Sequence, residues 1–217
     1  MLHPTLRTSL RHLLAGARAL AQGLLGVALI ALAALVFLPS AHAAAPITRE
    51  DQTFPGDARV ADTALQLNGV GLRSAFIYKV YLAGLYLPKK AASGADVFAE
   101  TGPKRLQVRM LMNGPSDEFA KAFTGGIAKR TPADQVAAMQ DRIAAFDRTL
   151  RSIGNVKKGD VVNLDYAPAQ GLTLSVNGKA VGAAVPGPDL YAALLNIFVG
   201  DRPVDAKMTA GMLGAAG

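Results

Sequence analysis

Asn68-Gly69-Val70-Gly71-Leu72-Arg73-Ser74-Ala75-Phe76-Ile77-Tyr78-Lys79-Val80-Tyr81-Leu82-Ala83-Gly84-Leu85-Tyr86-Leu87 is rich in Val, Ile, Phe and Tyr and reads as β structure. Twenty residues exceed an ordinary strand, so the stretch predicts either a hairpin or one long strand bent at a bulge. Gly69 and Gly71 punctuate its entry, and Pro88-Lys89-Lys90 ends it. Arg73 sits near its start. A guanidinium stays charged at any ordinary pH, so on an apolar sheet face it calls for an anion. Either the protein supplies that anion, with Asp165 and Asp189 as candidates, or a ligand does.

Strand parity sorts the neighbours of Arg73. Tyr81 and Lys79 share its parity, whereas Tyr78 and Tyr86 fall on the opposite face unless a bulge intervenes. Tyr81 is then a second candidate for contacting a ligand, against the ordinary reading of a strand tyrosine packed in the core. Lys79 is a third, against a solvated or snorkelling lysine. Asn196, on a late helix, points either at a pocket or at water.

Outward from this stretch, alternation and stop signals set the order of elements. Thr63 to Leu67 reads as a first strand, and Leu106 to Met112 as a strand with Gln107 and Arg109 alternating against apolar neighbours. Ser116 or Asp117 caps a helix that Gly125-Gly126 stops. Thr131-Pro132 opens a second helix. Val136, Met139, Ile143, Phe146, Leu150 and Ile153 make its apolar stripe, read as core. Asp160 to Tyr166 and Leu172 to Val176 alternate as strands, and Asn177-Gly178 is a strong hairpin signal before Lys179 to Ala184. Pro188 to Phe198 and Asp205 to Leu213 read as the last helices. The sum is α+β: a large antiparallel sheet with a layer of helices on one face.

The first 43 residues differ in composition. Arg7, Arg11 and Arg18 precede the unbroken apolar run Gly23 to Leu38, and Ala41-His42-Ala43 follows Pro39. This is the pattern of a secretory signal peptide cleaved near Ala43, with an uncleaved anchor as the alternative. Residues 1–43 are therefore expected to be a leader, 44–60 a flexible lead-in and 61–214 a single domain. The expected location is periplasmic or secreted, with membrane contact only through the leader if it is retained.

All three histidines (His3, His12 and His42) lie in that leader, and the chain has no Cys and no Trp. The remainder cannot build a Ser-His-Asp triad, a cysteine nucleophile, a disulfide or an imidazole or thiolate metal site. No cofactor and no metal are expected. Without the leader, 20 basic residues face 16 acidic ones, too mild an excess to argue for nucleic acid.

The order of elements resembles the chalcone isomerase-like family. So do Gly69-Val70-Gly71-Leu72-Arg73, Lys79 to Leu87, Thr173-Leu174-Ser175-Val176-Asn177-Gly178-Lys179 and Ile197-Phe198-Val199-Gly200-Asp201-Arg202-Pro203-Val204. The likeness spans about Thr63 to Leu213 and is closest to an exported bacterial branch. For the plant isomerases, the resemblance implies that Arg73 would polarise the substrate carbonyl. Tyr81 stands where those enzymes have a Thr, Met112 to Ala122 contains no Tyr, Asn113 sits too early, and Ile197 replaces a further Thr. One of five positions survives. The fatty-acid-binding members use an Arg and a Tyr to hold a carboxylate, which implies that role for Arg73 and Tyr81.

Three functions follow. The chain is an exported binding protein for a small amphipathic carboxylate such as a fatty acid, an isomerase or lyase acting on an enone-type substrate, or a non-catalytic envelope protein. The first predicts an apolar cavity with Arg73 at one end. The last predicts a filled interior with Arg73 paired internally.

Overall fold

The computed structural model describes residues 44–215, so the expected leader lies outside the described residues. Seven strands form one antiparallel sheet: β3 (Asp57–Val60), β4 (Thr63–Ala75), β5 (Tyr78–Leu87), β6 (Lys104–Met110), β9 (Val161–Ala167), β10 (Gly171–Val176) and β11 (Lys179–Val185). Their order is β11-β10-β9-β6-β5-β4-β3. Among the described residues six helices accompany it: α1 (Gly94–Ala99), α2 (Ser116–Arg130), α3 (Ala133–Ala138), α4 (Gln140–Arg151), α5 (Pro188–Val199) and α6 (Ala206–Met212). Short strands β1 (Ile47–Arg49) and β2 (Gln52–Phe54) form one hairpin, and β7 (Gly114–Pro115) pairs with β8 (Asn155–Val156). The expected α+β architecture is the observed one. Among the described residues, no helix is long and apolar enough to cross a membrane.

Alternation along β5 divides the core in two. Ala83, Leu85 and Leu87 join Leu106, Val108, Phe146, Leu194 and Ile197 in the larger cluster, between sheet and helices. Leu82 and Tyr86 point the other way and pack with Phe54, Val60, Leu67 and Val70. Phe54 is wholly buried, and Gly84 makes room for it: a Cβ there would lie 2.5 Å from the Phe54 ring. Residues 44–60, expected as a loose lead-in, thus include three short strands and an aromatic anchor whose burial contributes about 1.5–3 kcal/mol.

The long β stretch is a hairpin with a bulge in each strand. Thr63 to Leu67 is not a separate strand but the start of β4, which runs through both glycines. The first bulge falls at Asn68, between the pairs Leu67–Tyr86 and Gly69–Leu85. The buried Asn68 amide donates to the Ala91 and Met212 carbonyls and accepts from the Ala91 N–H, tying β4 to a loop and to the end of α6. Gly69 and Gly71 are flat strand positions on which α6 lies. A Cβ on Gly71 would stand 2.0 Å from the Met208 carbonyl oxygen.

Three helix features differ from the sequence expectation. α2 passes through Gly125-Gly126 because Gly126 meets α5 closely, a Cβ there lying 2.7 Å from Ile197 Cδ1. Ser116 does not cap α2; it is the first helical residue, and its hydroxyl donates to the Arg151 carbonyl. The helix expected after Pro132 is broken into α3 and α4 at the buried Met139. The Asn177-Gly178 turn, with positive φ at both residues, forms as expected.

Candidate ligand cavity

A cavity of about 590 Å³ lies between the sheet and the helix layer. Val108, Met110, Val162 and Leu164 of the sheet form one wall. Phe119, Ala122 and Phe123 of α2, with Leu194, Ile197 and Phe198 of α5, form the other. Its volume suits a small molecule, and its lining is mostly aliphatic and aromatic. Arg73 and Tyr81 line it together.

The second bulge in the hairpin brings this pair into register. Arg73 stands opposite Tyr81, while the next residue, Ser74, stands opposite Lys79. Two residues of β5, Val80 and Tyr81, therefore face the one Arg73, and both line the cavity. The same bulge ends the simple parity that grouped Lys79 with them. The Lys79 ammonium is instead exposed and bonds both carboxylate oxygens of Glu50 at 2.7 Å. Asn196 is also absent from the cavity. Its amide donates to the Arg130 carbonyl at 3.0 Å, in a separate groove that shares Arg130 with the cavity, and the adjacent Ile197 is the residue that reaches the cavity.

Arg73 has an internal carboxylate partner, but neither of the two expected. Asp165 is held by Arg105 through two bonds of 2.6 Å, and Asp189 by Arg142. The partner is Asp205, whose Oδ2 accepts from Arg73 Nη1 at 3.3 Å. Asp205 Oδ1 caps α6 by accepting from the Met208 N–H at 3.0 Å, so this carboxylate is positioned by the helix as much as by the arginine. The same Nη1 donates to the Ser74 carbonyl. Nε and Nη2 make no hydrogen bond to a described residue, which leaves one edge of the guanidinium fork for another acceptor.

Tyr81 is similarly uncommitted. Its ring sits 6.5 Å from that of Phe119, and its hydroxyl makes no hydrogen bond to a described residue. Burial pushes the phenol pKa up to about 12; the Arg73 charge opposes that shift, and the Asp205 carboxylate reinforces it. At neutral pH the group is therefore a hydrogen-bond donor and not a base. The cavity rim carries Lys121, Lys129 and Arg130 from α2, against the single carboxylate of Glu118. Glu118 pairs with Lys121 at 2.8 Å.

A family model described as chalcone isomerase-like matches residues 47–214. The chain belongs to the chalcone isomerase-like family. A solved structure of an Arabidopsis thaliana fatty-acid binding protein is similar in fold, with a TM-score of 0.61 at 16% identity. The alignment covers 77% of this chain and 95% of that one. No curated protein sequence matches.

The Asn113 side chain accepts from the Lys158 N–H, and Ile197 offers only methyl groups to the cavity. Among the described residues, no group of three or more potential metal-ligating side chains comes together. Asp205 was missed in the sequence because it lies 132 residues beyond Arg73. Its one local signal was its place as the acidic residue before the last helix.

Proposed function

We propose that this protein binds a small amphipathic carboxylate, such as a fatty acid, with its head at Arg73 and Tyr81 and its tail in the apolar cavity. The observation that carries this reading is an open cavity whose polar end holds unused donors of two kinds. Among the described residues, Arg73 Nε and Nη2 and the Tyr81 hydroxyl have no hydrogen-bond partner. A guanidinium edge takes a carboxylate through two charge-assisted bonds, and a phenol adds a third. The fatty-acid binding protein of the same fold supports the reading by analogy.

The Arg73–Asp205 contact favours a second reading, a scaffold in which the arginine is already satisfied. A single 3.3 Å contact between partly exposed groups is weak, and the interior is not filled. We place the protein in an exported bacterial branch of the family, in the periplasm or secreted, on the leader-like pattern of residues 1–43.

Mass spectrometry of native protein purified from cells tests both parts. A lipid carboxylate extracted from the wild type and lost in Arg73→Ala, on a chain whose mass begins at Ala44, is expected. An empty wild-type protein would remove the ligand reading, and a chain of full-length mass would remove cleavage.

A further inference from the structure

The turn joining β4 to β5 consists of Phe76 and Ile77, with Ala75 paired to Tyr78 across its base. Phe76 is fully exposed, Ile77 is 88% exposed and Tyr78 is 60% exposed. Phe76 adopts φ +54, whereas Ile77 does not have positive φ. That is the pattern of a type II′ turn, whose first central position ordinarily takes Gly. A bulky residue there carries backbone strain as well as the cost of hydrating a phenyl ring. The other two-residue turns among the described residues are Glu50-Asp51, Ala61-Asp62 and Asn177-Gly178, each with positive φ at its first position, so what sets Phe76-Ile77 apart is that its exposed side chains are large and apolar. Three large apolar side chains exposed at one spot point to a contact made elsewhere.

The tip continues the cavity wall. Ala75 and Val80, near its base, line the cavity, and inward of the Ala75–Tyr78 pair come first Ser74–Lys79 and then Arg73–Tyr81. The Leu111 N–H donates to the Val80 carbonyl, so the chain at Leu111 and Met112 runs beside the hairpin base, and Met112 is 40% exposed. The charges lining the cavity are mainly positive: Arg73, Lys121, Lys129 and Arg130 against Glu118.

We infer that the Phe76–Ile77–Tyr78 tip docks this domain on a lipid bilayer that carries anionic headgroups. Lys79 next to the tip is neutralised by Glu50, so the attraction to anionic lipid falls to Lys121, Lys129 and Arg130, which line the same cavity as Ala75 and Val80. Two aromatic rings and an isoleucine with that charge suit the headgroup–acyl boundary, where apolar insertion and attraction to anionic lipid add. The patch is too narrow for a stable protein partner. Three side chains offer on the order of 500 Å², taking roughly 150–250 Å² for each aromatic, against about 800 Å² per partner in a standard interface. This is a second membrane contact beyond any made by the leader. The docking stands on the hairpin itself; that it loads the cavity from the bilayer rests on the carboxylate reading.

The chain contains no tryptophan, so Phe76→Trp introduces a unique fluorophore at an exposed site that leaves the core untouched. With the full chain and vesicles of phosphatidylcholine mixed with phosphatidylglycerol, the indole emission is expected to shift to the blue and to be quenched by brominated acyl chains. Adding Ile77→Asp is expected to weaken partitioning by at least roughly tenfold, and pure phosphatidylcholine to give a weaker response. The probe is local, so a chain held to the vesicle by its N-terminus alone would leave the indole water-exposed and overturn the inference. A shift that grows with protein concentration without vesicles would assign the tip to a second copy and overturn it equally. An equal response on neutral vesicles would contradict the anionic preference. A carboxylate-binding titration of the same variant reads the cavity separately, so failure of either proposal is distinguishable.

Discussion

Arg73 turns from a lone charge on a sheet into one corner of a three-residue arrangement with Tyr81 and Asp205. The pairing of Arg73 with Tyr81 follows from strand alternation, and so would the grouping with Lys79, had Val80 not been an extra residue in β5. Bulges are hard to read in an apolar run, because every register places some hydrophobic residue on each face. Asp205 was hidden for a different reason: nothing local to Arg73 in the chain indicates which distant carboxylate the fold brings near. The arrangement gives a directional prediction. Asp205→Asn keeps a side chain able to cap α6 but removes the negative charge that competes for Arg73. Carboxylate affinity is then expected to rise roughly three- to tenfold, with stability changed by under about 1 kcal/mol, because the ion pair is partly exposed. Calorimetric titration beside a denaturation curve reads both, and weakened binding would mean that Asp205 helps hold the ligand.

The glycines were the least legible elements. Gly69 and Gly71 read as entry punctuation, and Gly125-Gly126 as a helix stop, yet all four lie inside regular structure. A sequence shows that a residue lacks a side chain; it does not show whether a turn or an approaching backbone needs the space. At Gly71 the backbone of α6 fills that space, and Gly71→Ala is expected to cost about 2–3 kcal/mol, lowering Tm by about 5–10 °C. At Gly125 nothing stands within 4 Å of an added Cβ, and Gly125→Ala is expected to stabilise by up to about 1 kcal/mol. Thermal melts of the two variants side by side check the distinction. Equal shifts would mean that α6 does not pack on β4 as described.

For the molecule as a whole, the layered α+β fold was legible because its sheet alternates cleanly and its turns are well signalled. The Asn177-Gly178 hairpin and the Phe146–Leu150 stripe carried most of that reading. The segment at 44–60 was not legible, because its three short strands alternate over too few residues and only Phe54 anchors them. The buried tyrosines give the fold an alkaline signature. Burial pushes Tyr81 and Tyr86 up to about 12 and raises Tyr191 well above its usual value. Unfolded tyrosines ionise near pH 10, so above that pH the unfolded chain loses protons that the folded chain keeps, and stability falls toward pH 12. Burial lowers Lys90 and Lys104, which act in the opposite sense at slightly lower pH, so the decline is expected to set in above about 10.5. Urea midpoints followed from pH 9 to 12 check this, and a flat profile would contradict it.

Competition between a long-chain carboxylic acid and its methyl ester for the cavity bears most directly on the carboxylate clamp. The two share a tail and differ in the charge that Arg73 would meet. On the wild type, the acid is expected to bind at least roughly tenfold more tightly than the ester, and Arg73→Ala is expected to abolish that preference while the protein stays folded. Equal binding of acid and ester by the wild type, or a preference that survives Arg73→Ala, would contradict the clamp.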